Sequence, residues 1–136
     1  MSPPPASPPI SALTRMNSTL KDLFLYIYDL SPLEMDLLII LIKNKEAMTL
    51  EELAKEVDRD KSTIFRSCQK MVGLGIISKE TKTIKEGGHY HVYSSIPIDV
   101  FKIETEKKVK ELEQGLHRIL KKFEADLEKM VATFYQ

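Results

Sequence analysis

The spacing between Thr49 and Ile77 constrains this chain more than any other feature. In Thr49-Leu50-Glu51-Glu52 a hydroxyl and a carboxylate stand three residues apart. That is the reciprocal pattern that satisfies two free backbone N–H groups where a helix begins. Leu50, Leu53, Ala54 and Val57 then recur at three- and four-residue steps, enough for about two turns with one apolar face. Asp58-Arg59-Asp60 interrupts. From Lys61 to about Leu74 the helical period resumes, with Ile64, Cys68 and Met71 expected inward. Gly73 and Gly75 end that helix and release the chain into Ile76-Ile77. A short helix, a turn of three or four residues and a longer helix is the spacing of two helices that cross and share a core.

The flanking segments supply the rest of a small core. Ser31-Pro32-Leu33-Glu34 repeats the helix-opening pattern, with proline at the first helical position. The helix it opens is predicted to stop near Lys45. Leu33, Leu37, Ile40 and Leu41 face the core, and Leu38, Ile39 and Ile42 widen the stripe. An earlier helix is predicted from about Ser18 to Leu30, with Leu20, Leu23, Phe24, Ile27 and Leu30 on one face. Residues 1–10 hold five prolines, and 1–16 read as a disordered or polyproline-like leader. Such a tail is either a solvated leader or a ligand for an adaptor domain. Ile77–Ile96 reads as a β-hairpin. Its first strand is rich in Thr and Lys, and Lys85-Glu86-Gly87-Gly88 supplies a turn with positive φ. His89–Ile96 follows with aromatic and β-branched residues.

After Pro97 a long helix is expected from about Asp99 to Ala132 or beyond. Its seam is Val109, Leu112, Leu116, Ile119, Phe123, Leu127, Met130 and Phe134, a heptad pattern with one stutter at Phe123–Leu127. About 34 residues of helix extend roughly 50 Å, more than a small domain covers. A second copy of the same helix is the simplest partner, and packing back on the N-terminal helix is the alternative.

Composition bounds the function. A chain of 136 residues favours one domain with accessories, here 17–98 followed by a dimerisation helix over 99–136. No apolar run approaches the roughly 18 residues of a membrane span, since the longest, Leu37–Ile42, has six. The N-terminus has neither a basic region nor a long apolar region, so no secretory signal is read. A lone cysteine, Cys68, fits a reducing compartment, and the expected location is the cytoplasm. Net charge is zero, with 20 cations and 20 anions. The distribution is uneven. Arg59–Lys85 holds seven cations against two anions, a net of +5, while Thr49–Asp58 holds one against four, a net of −3.

LEELAKEVDRDKSTIFRSCQKMVGLGII resembles the winged helix-turn-helix core of archaeal and bacterial transcriptional regulators, nearest to the TrmB-type and MarR-like proteins. The residues that carry the resemblance are Leu53-Ala54, Lys61-Ser62-Thr63-Ile64, Arg66, Met71 and Gly75-Ile76-Ile77, with HYHVYSSIPIDV as the return strand of the wing. It covers about half the chain, roughly Ser31–Val100. It implies a mainly α fold with a small β-hairpin, a winged helix-turn-helix plus a long C-terminal coiled-coil-like helix. It also implies a dimeric, archaeal DNA-binding transcriptional regulator. Larger TrmB-type regulators add a sugar-binding effector domain. This chain ends after one helix, so that activity is not carried over.

A recognition helix over about 61–74 enters the major groove, and its outward residues become candidate contacts. These are Arg59, Lys61, Ser62, Thr63, Phe65, Arg66, Gln69 and Lys70. Arg66 suits guanine and Gln69 adenine. The hydroxyls of Ser62 and Thr63 suit phosphates or bases. Phe65 either meets a thymine methyl or tucks under the wing. The wing, about 78–95, brings Lys82, Lys85 and His89 to the adjacent backbone or minor groove. Asp58 and Asp60 are unexpected anions at the mouth of this edge. Asp60 caps the helix, and it would also repel a nearby phosphate. His89 and His91 share a strand face, but no third metal ligand accompanies them, so no metal or cofactor is expected. An effector ligand is left open. No nucleophile–base grouping, phosphate loop or zinc spacing is present, and an enzyme is not expected. The alternatives are a winged-helix adaptor that binds protein and a low-specificity chromatin protein.

Overall fold

A computed structural model describes residues 10–134. The chain divides into two units, one ending at Phe101 and the other beginning at Lys102. In the first, a 3₁₀ turn over Ile10–Thr14 is followed by α1 (Leu20–Ile27), α2 (Pro32–Lys43), α3 (Leu50–Val57) and α4 (Lys61–Gly73). Two strands, β1 (Ile77–Thr83) and β2 (His89–Ser95), then lead into α5, which begins at Ile98. The 3₁₀ turn buries Ala12, so the expected disordered leader is structured from Ile10 onward. The expectation for residues 1–9 lies outside the described residues.

Each of the first three helices starts on a reciprocal cap. Thr19 pairs with Asp22, Ser31 with Glu34 and Thr49 with Glu52. The Thr19–Asp22 box starts α1 two residues later than predicted, and the helix stops at Ile27 rather than Leu30. Asp29 follows at φ 52°, a left-handed conformation that turns the chain toward α2. Asp58 has the same φ at the end of α3. Asp tolerates that conformation better than most residues because its short side chain bonds locally. A charged residue in this turn therefore has a backbone reason. The Arg59 N–H donates to the Ala54 carbonyl at 3.1 Å and closes the helix end.

The core gathers Leu37, Leu38 and Leu41 of α2, Leu53 of α3, and Ile64, Cys68 and Met71 of α4. Tyr28, Leu30, Met35, Met48, Ile76, Ile77, Tyr93 and Phe101 complete it. Phe101 stacks on Phe24 at 5.0 Å and meets Tyr28 edge-on at 5.8 Å. The inward residues expected of α4 are all buried, and Ser67 joins them. The expected widening of the α2 stripe holds for Leu38 but not for Ile39 and Ile42. These stay 48% and 39% exposed because α2 is covered on one side only. Leu20 is likewise exposed at the start of α1.

The strands pair antiparallel, Ile77 with Ser95 through Thr83 with His89. The turn closes on Ile84, whose N–H donates to Gly88, with Gly87 and Gly88 at φ 95° and 100°. Met48, just before α3, exchanges two backbone hydrogen bonds with Tyr93 at 2.8 and 2.7 Å. That bridge adds a one-residue third strand and fastens the hairpin beside the helix pair. The result is a winged helix-turn-helix.

In the second unit α5 continues to Lys121, and α6 runs from Phe123 to Phe134. The expected single helix is thus interrupted at Lys122, next to the stutter read in the seam. There the Lys122 N–H donates to Ile119, one residue short of the α-helical step, and Asp126 bonds back to Lys122. No helix among the described residues is long and apolar enough to cross a membrane.

Candidate nucleic-acid interface

The outer face of α4 is set by its cap. The Asp60 carboxylate accepts from the Thr63 N–H at 3.1 Å, from the Thr63 hydroxyl at 2.6 Å and from the Ser62 hydroxyl. The Ser62 and Thr63 hydroxyl hydrogens therefore point at Asp60. Only their oxygen lone pairs are left for a ligand. These bonds hold the Asp60 carboxyl well below the usual carboxylate range, the Ser62 hydroxyl first among them. A depressed carboxyl stabilises the fold above its unfolded pKa of about 3.9 and loses that contribution as pH falls through the folded value. Asp60→Ala is therefore expected to melt at lower temperature than wild type near neutrality. The gap should narrow in strong acid, as followed by circular dichroism across pH.

The candidate cations separate into two groups. Lys61 is paired with Glu51 of α3 at 2.6 Å. Lys82 lies 3.2 Å from Glu80 on the same strand. Lys70 turns inward: its ammonium donates to the Asp29 carbonyl at 2.5 Å and to Glu34 at 2.7 Å. Glu34 is 6% exposed and also accepts from the Ser31 N–H at 2.8 Å. Lys70 was expected on the reading edge, but it ties α4 to the start of α2. Sequence spacing placed its Cα correctly and could not show which way a long side chain bends. Arg59, Arg66, Gln69 and Lys85 are exposed, and no hydrogen bond or ion pair of their side chains occurs among the described residues. Phe65, 42% exposed, stands on the same outer face of α4 and is not tucked away.

The strand register divides the wing. Thr81, Thr83, His89 and His91 lie on one face with Lys79, while Lys82, Glu80 and Tyr90 lie on the other. Lys82 and His89, expected together, point to opposite faces. Lys79 and the exposed Tyr90 were missed as candidates, although strand alternation from Ile77 would have assigned both. His91 is within 3.1 Å of the Thr81 hydroxyl. Among the described residues no group of three or more metal-ligating side chains occurs. Cys68 is fully buried, and burial pushes its thiol up to about 11, so it is held as an unreactive thiol.

A groove beside α3 is lined by Leu33, Asp36, Ile39, Val57 and Arg59, among others. It is shallow and mixed in polarity, and it holds no arrangement of acid, base and nucleophile.

Comparison with known proteins agrees with this architecture. The Methanocaldococcus jannaschii protein MJ1503 is 32% identical over 79 residues, 58% of this chain and 57% of that protein. MJ1082 of the same organism is 28% identical over 81 residues, 60% of this chain and 66% of that protein. The chain thus spans between about half and two thirds of the length of these relatives. Among solved structures, a Methanosarcina mazei Go1 protein described as a possible transcriptional regulator superposes with a TM-score of 0.70. It shares 18% identity, over 81% of this chain and 95% of that one. The ST1889 protein of Sulfolobus tokodaii superposes with a TM-score of 0.59 at 18% identity, over 78% of this chain and 98% of that one. These two likenesses concern the fold. A family profile, HVO_A0114, matches residues 29–100, from the turn before α2 to the first turn of α5, and the chain belongs to the HVO_A0114 family.

Proposed function

We propose that the protein is a dimeric DNA-binding transcriptional regulator acting in the cytoplasm. α4 enters the major groove, the wing lies on adjacent backbone or minor groove, and residues 99–136 form the dimerisation helix. The observation that carries this reading is the outer face of α4. There Phe65, Arg66 and Gln69 are exposed, while the neighbouring Lys61 and Lys70 are occupied by Glu51 and Glu34. An uncommitted Arg and Gln three residues apart stand on adjacent turns of one helix face. Their donors and acceptors match guanine and adenine edges. The fold it shares with a protein described as a possible transcriptional regulator supports the same reading.

Lys85 at the wing tip and Arg59 before α4 are the phosphate-contacting candidates, since neither side chain is paired among the described residues. The second unit presents Leu112, Leu116, Ile119, Phe123, Leu127 and Met130 exposed along its length, which supports pairing between two copies. Two recognition helices then meet major grooves about 34 Å apart, on a roughly palindromic site.

The test is selection of bound genomic fragments with the purified protein, followed by gel shifts on the winning site. Arg66→Ala with Gln69→Ala is expected to weaken specific binding by on the order of 10²-fold or more, at about 1–3 kcal/mol per bidentate contact. Binding to random duplex should change far less. Wild-type affinity should fall steeply with salt. Equal affinity for every duplex would identify a low-specificity chromatin protein instead. A second reading, a protein-binding adaptor, is favoured by the zero net charge and by the three lysines already paired to carboxylates. It requires that no duplex bind even at low ionic strength.

A further inference from the structure

The end of the wing carries an isoleucine that the core does not use. Ile84 is 44% exposed and lies one residue beyond the last strand pair, Thr83 with His89. Its N–H donates to the Gly88 carbonyl at 3.1 Å, and its own carbonyl accepts from the Gly87 N–H at 3.0 Å. Lys85 and Glu86 therefore form the corner of the turn, and the residue across from Ile84 is a glycine. No side chain stands opposite to cover it. Tyr93, the last core residue of the hairpin, is level with Lys79, five residues and roughly 17 Å back along the strand. The turn is made by Gly87 and Gly88 at positive φ and requires nothing apolar at position 84. Strand alternation puts Ile84 on the wing face of Lys82 and Tyr90. Tyr90, also 44% exposed, is its diagonal neighbour, and the two make a small apolar edge at the end of the hairpin.

We propose that Ile84 is a wedge that enters the minor groove and inserts between two stacked base pairs, unstacking a pyrimidine–purine step and kinking the duplex. The inference rests on the DNA-binding reading above and adds to it a contact that reads how easily the duplex deforms. Three observations select duplex DNA as the occupant. The first is shape. A minor groove about 6 Å wide excludes a helix of about 10–12 Å but admits the corner of a hairpin with one leading side chain. The second is stiffness. Hydrogen bonds fix the backbone of Ile84 on both sides, and its β-branched side chain has few rotamers, so the wedge is ordered before it binds and loses little freedom. The third is extent. Ile84 and Tyr90 are far too small a patch for a protein partner, which takes roughly 20–30 residues a side. Lys85, whose side chain is unpaired among the described residues, stands next to the wedge for a phosphate on the groove wall, while Glu86 completes the corner. Apolar side chains inserted this way kink a duplex by roughly 20–90° toward the major groove. TA and CA/TG steps unstack most readily, so the wedge confers sequence preference where no hydrogen bond reads a base.

The experiment uses the full-length chain and the winning genomic fragment, with 2-aminopurine in place of one adenine at a time. Stacking quenches the fluorescence of this base. Wild type is expected to brighten it at a pyrimidine–purine step and to leave the other positions dim. Ile84→Leu should keep that signal, whereas Ile84→Ala and Ile84→Lys should lose it. The lysine adds a charge for phosphate, so binding to random duplex kept without the signal separates a wedge from simple attraction. Changing the step to AA should weaken wild type by about tenfold and Ile84→Ala far less. Ile84 lies outside the core, and all three variants should unfold with wild type by circular dichroism. If wild type binds and no position brightens, or if Ile84→Ala brightens the same position equally, there is no wedge and DNA binding stands. If wild type binds no duplex even at low ionic strength, the DNA-binding reading fails and the wedge with it.

Discussion

Leu53→Ala is expected to lower the unfolding free energy by about 2–5 kcal/mol, the range for truncating a buried leucine. Leu53 has no exposed surface and lies in one core with Ile64, Cys68 and Met71 of the next helix. α3 has only eight residues, too few to be stable alone, so it persists because its apolar face is buried. Removing the largest fully buried residue of that face leaves a cavity where the two helices share the core. Against a typical stability of about 5–15 kcal/mol the loss is a large part of the total. Urea denaturation of the full chain measures it. A loss of unfolding free energy below about 0.5 kcal/mol would mean that α3 does not depend on this contact.

Lys70→Met should cost about 1–3 kcal/mol, whereas Arg66→Met should stay within about 0.5 kcal/mol. The two cations sit four residues apart on one helix, and the sequence assigns them the same role. The structure separates them. Removing the Lys70 charge leaves the Glu34 carboxylate without its cation in a site that is 6% exposed. Breaking a fully buried pair costs about 3–5 kcal/mol. The Lys70 side chain keeps 38% of its surface exposed, so solvent screening reduces that figure. Glu34→Gln added to Lys70→Met should recover part of the loss, because a neutral amide is less costly to bury and its oxygen still accepts from Ser31. Thermal or urea unfolding of the four proteins gives the coupling directly. Independence of the two substitutions would show that the 2.7 Å pair contributes nothing to stability. In binding experiments Lys70 variants should lose affinity only in proportion to unfolding, and Arg66 variants without unfolding.

The two acidic residues at the mouth of the reading edge have local explanations. Asp58 occupies a left-handed turn position and Asp60 is the helix cap. Neither requires a tuned repulsion of DNA. Asp60 does take up the two hydroxyls that spacing had assigned to phosphate or bases.

From α1 to the hairpin, the sequence by itself determined the elements and their order. Caps, glycine turns and the two periodicities are local properties, written in residues three, four or two positions apart. α3 and α4 appear where those patterns place them, and so does the hairpin, within one or two residues. The inward rows of α4 also follow from spacing, because a helix carries its Cβ atoms in fixed directions. Only the tertiary structure decided which side chains are available. Lys61, Lys70 and Lys82 look equivalent to Arg66 in the sequence, since a lysine stem reaches several ångströms in any direction. For Lys61 and Lys70, whether it ends in solvent depends on carboxylates that folding brings close from other helices, Glu51 and Glu34, whereas Glu80 lies two residues from Lys82 on the same strand face. The exposure of Ile39, the Met48–Tyr93 bridge and the separation of Lys82 from His89 are of the same kind. Each depends on how one element lies against another, and no local spacing carries that information.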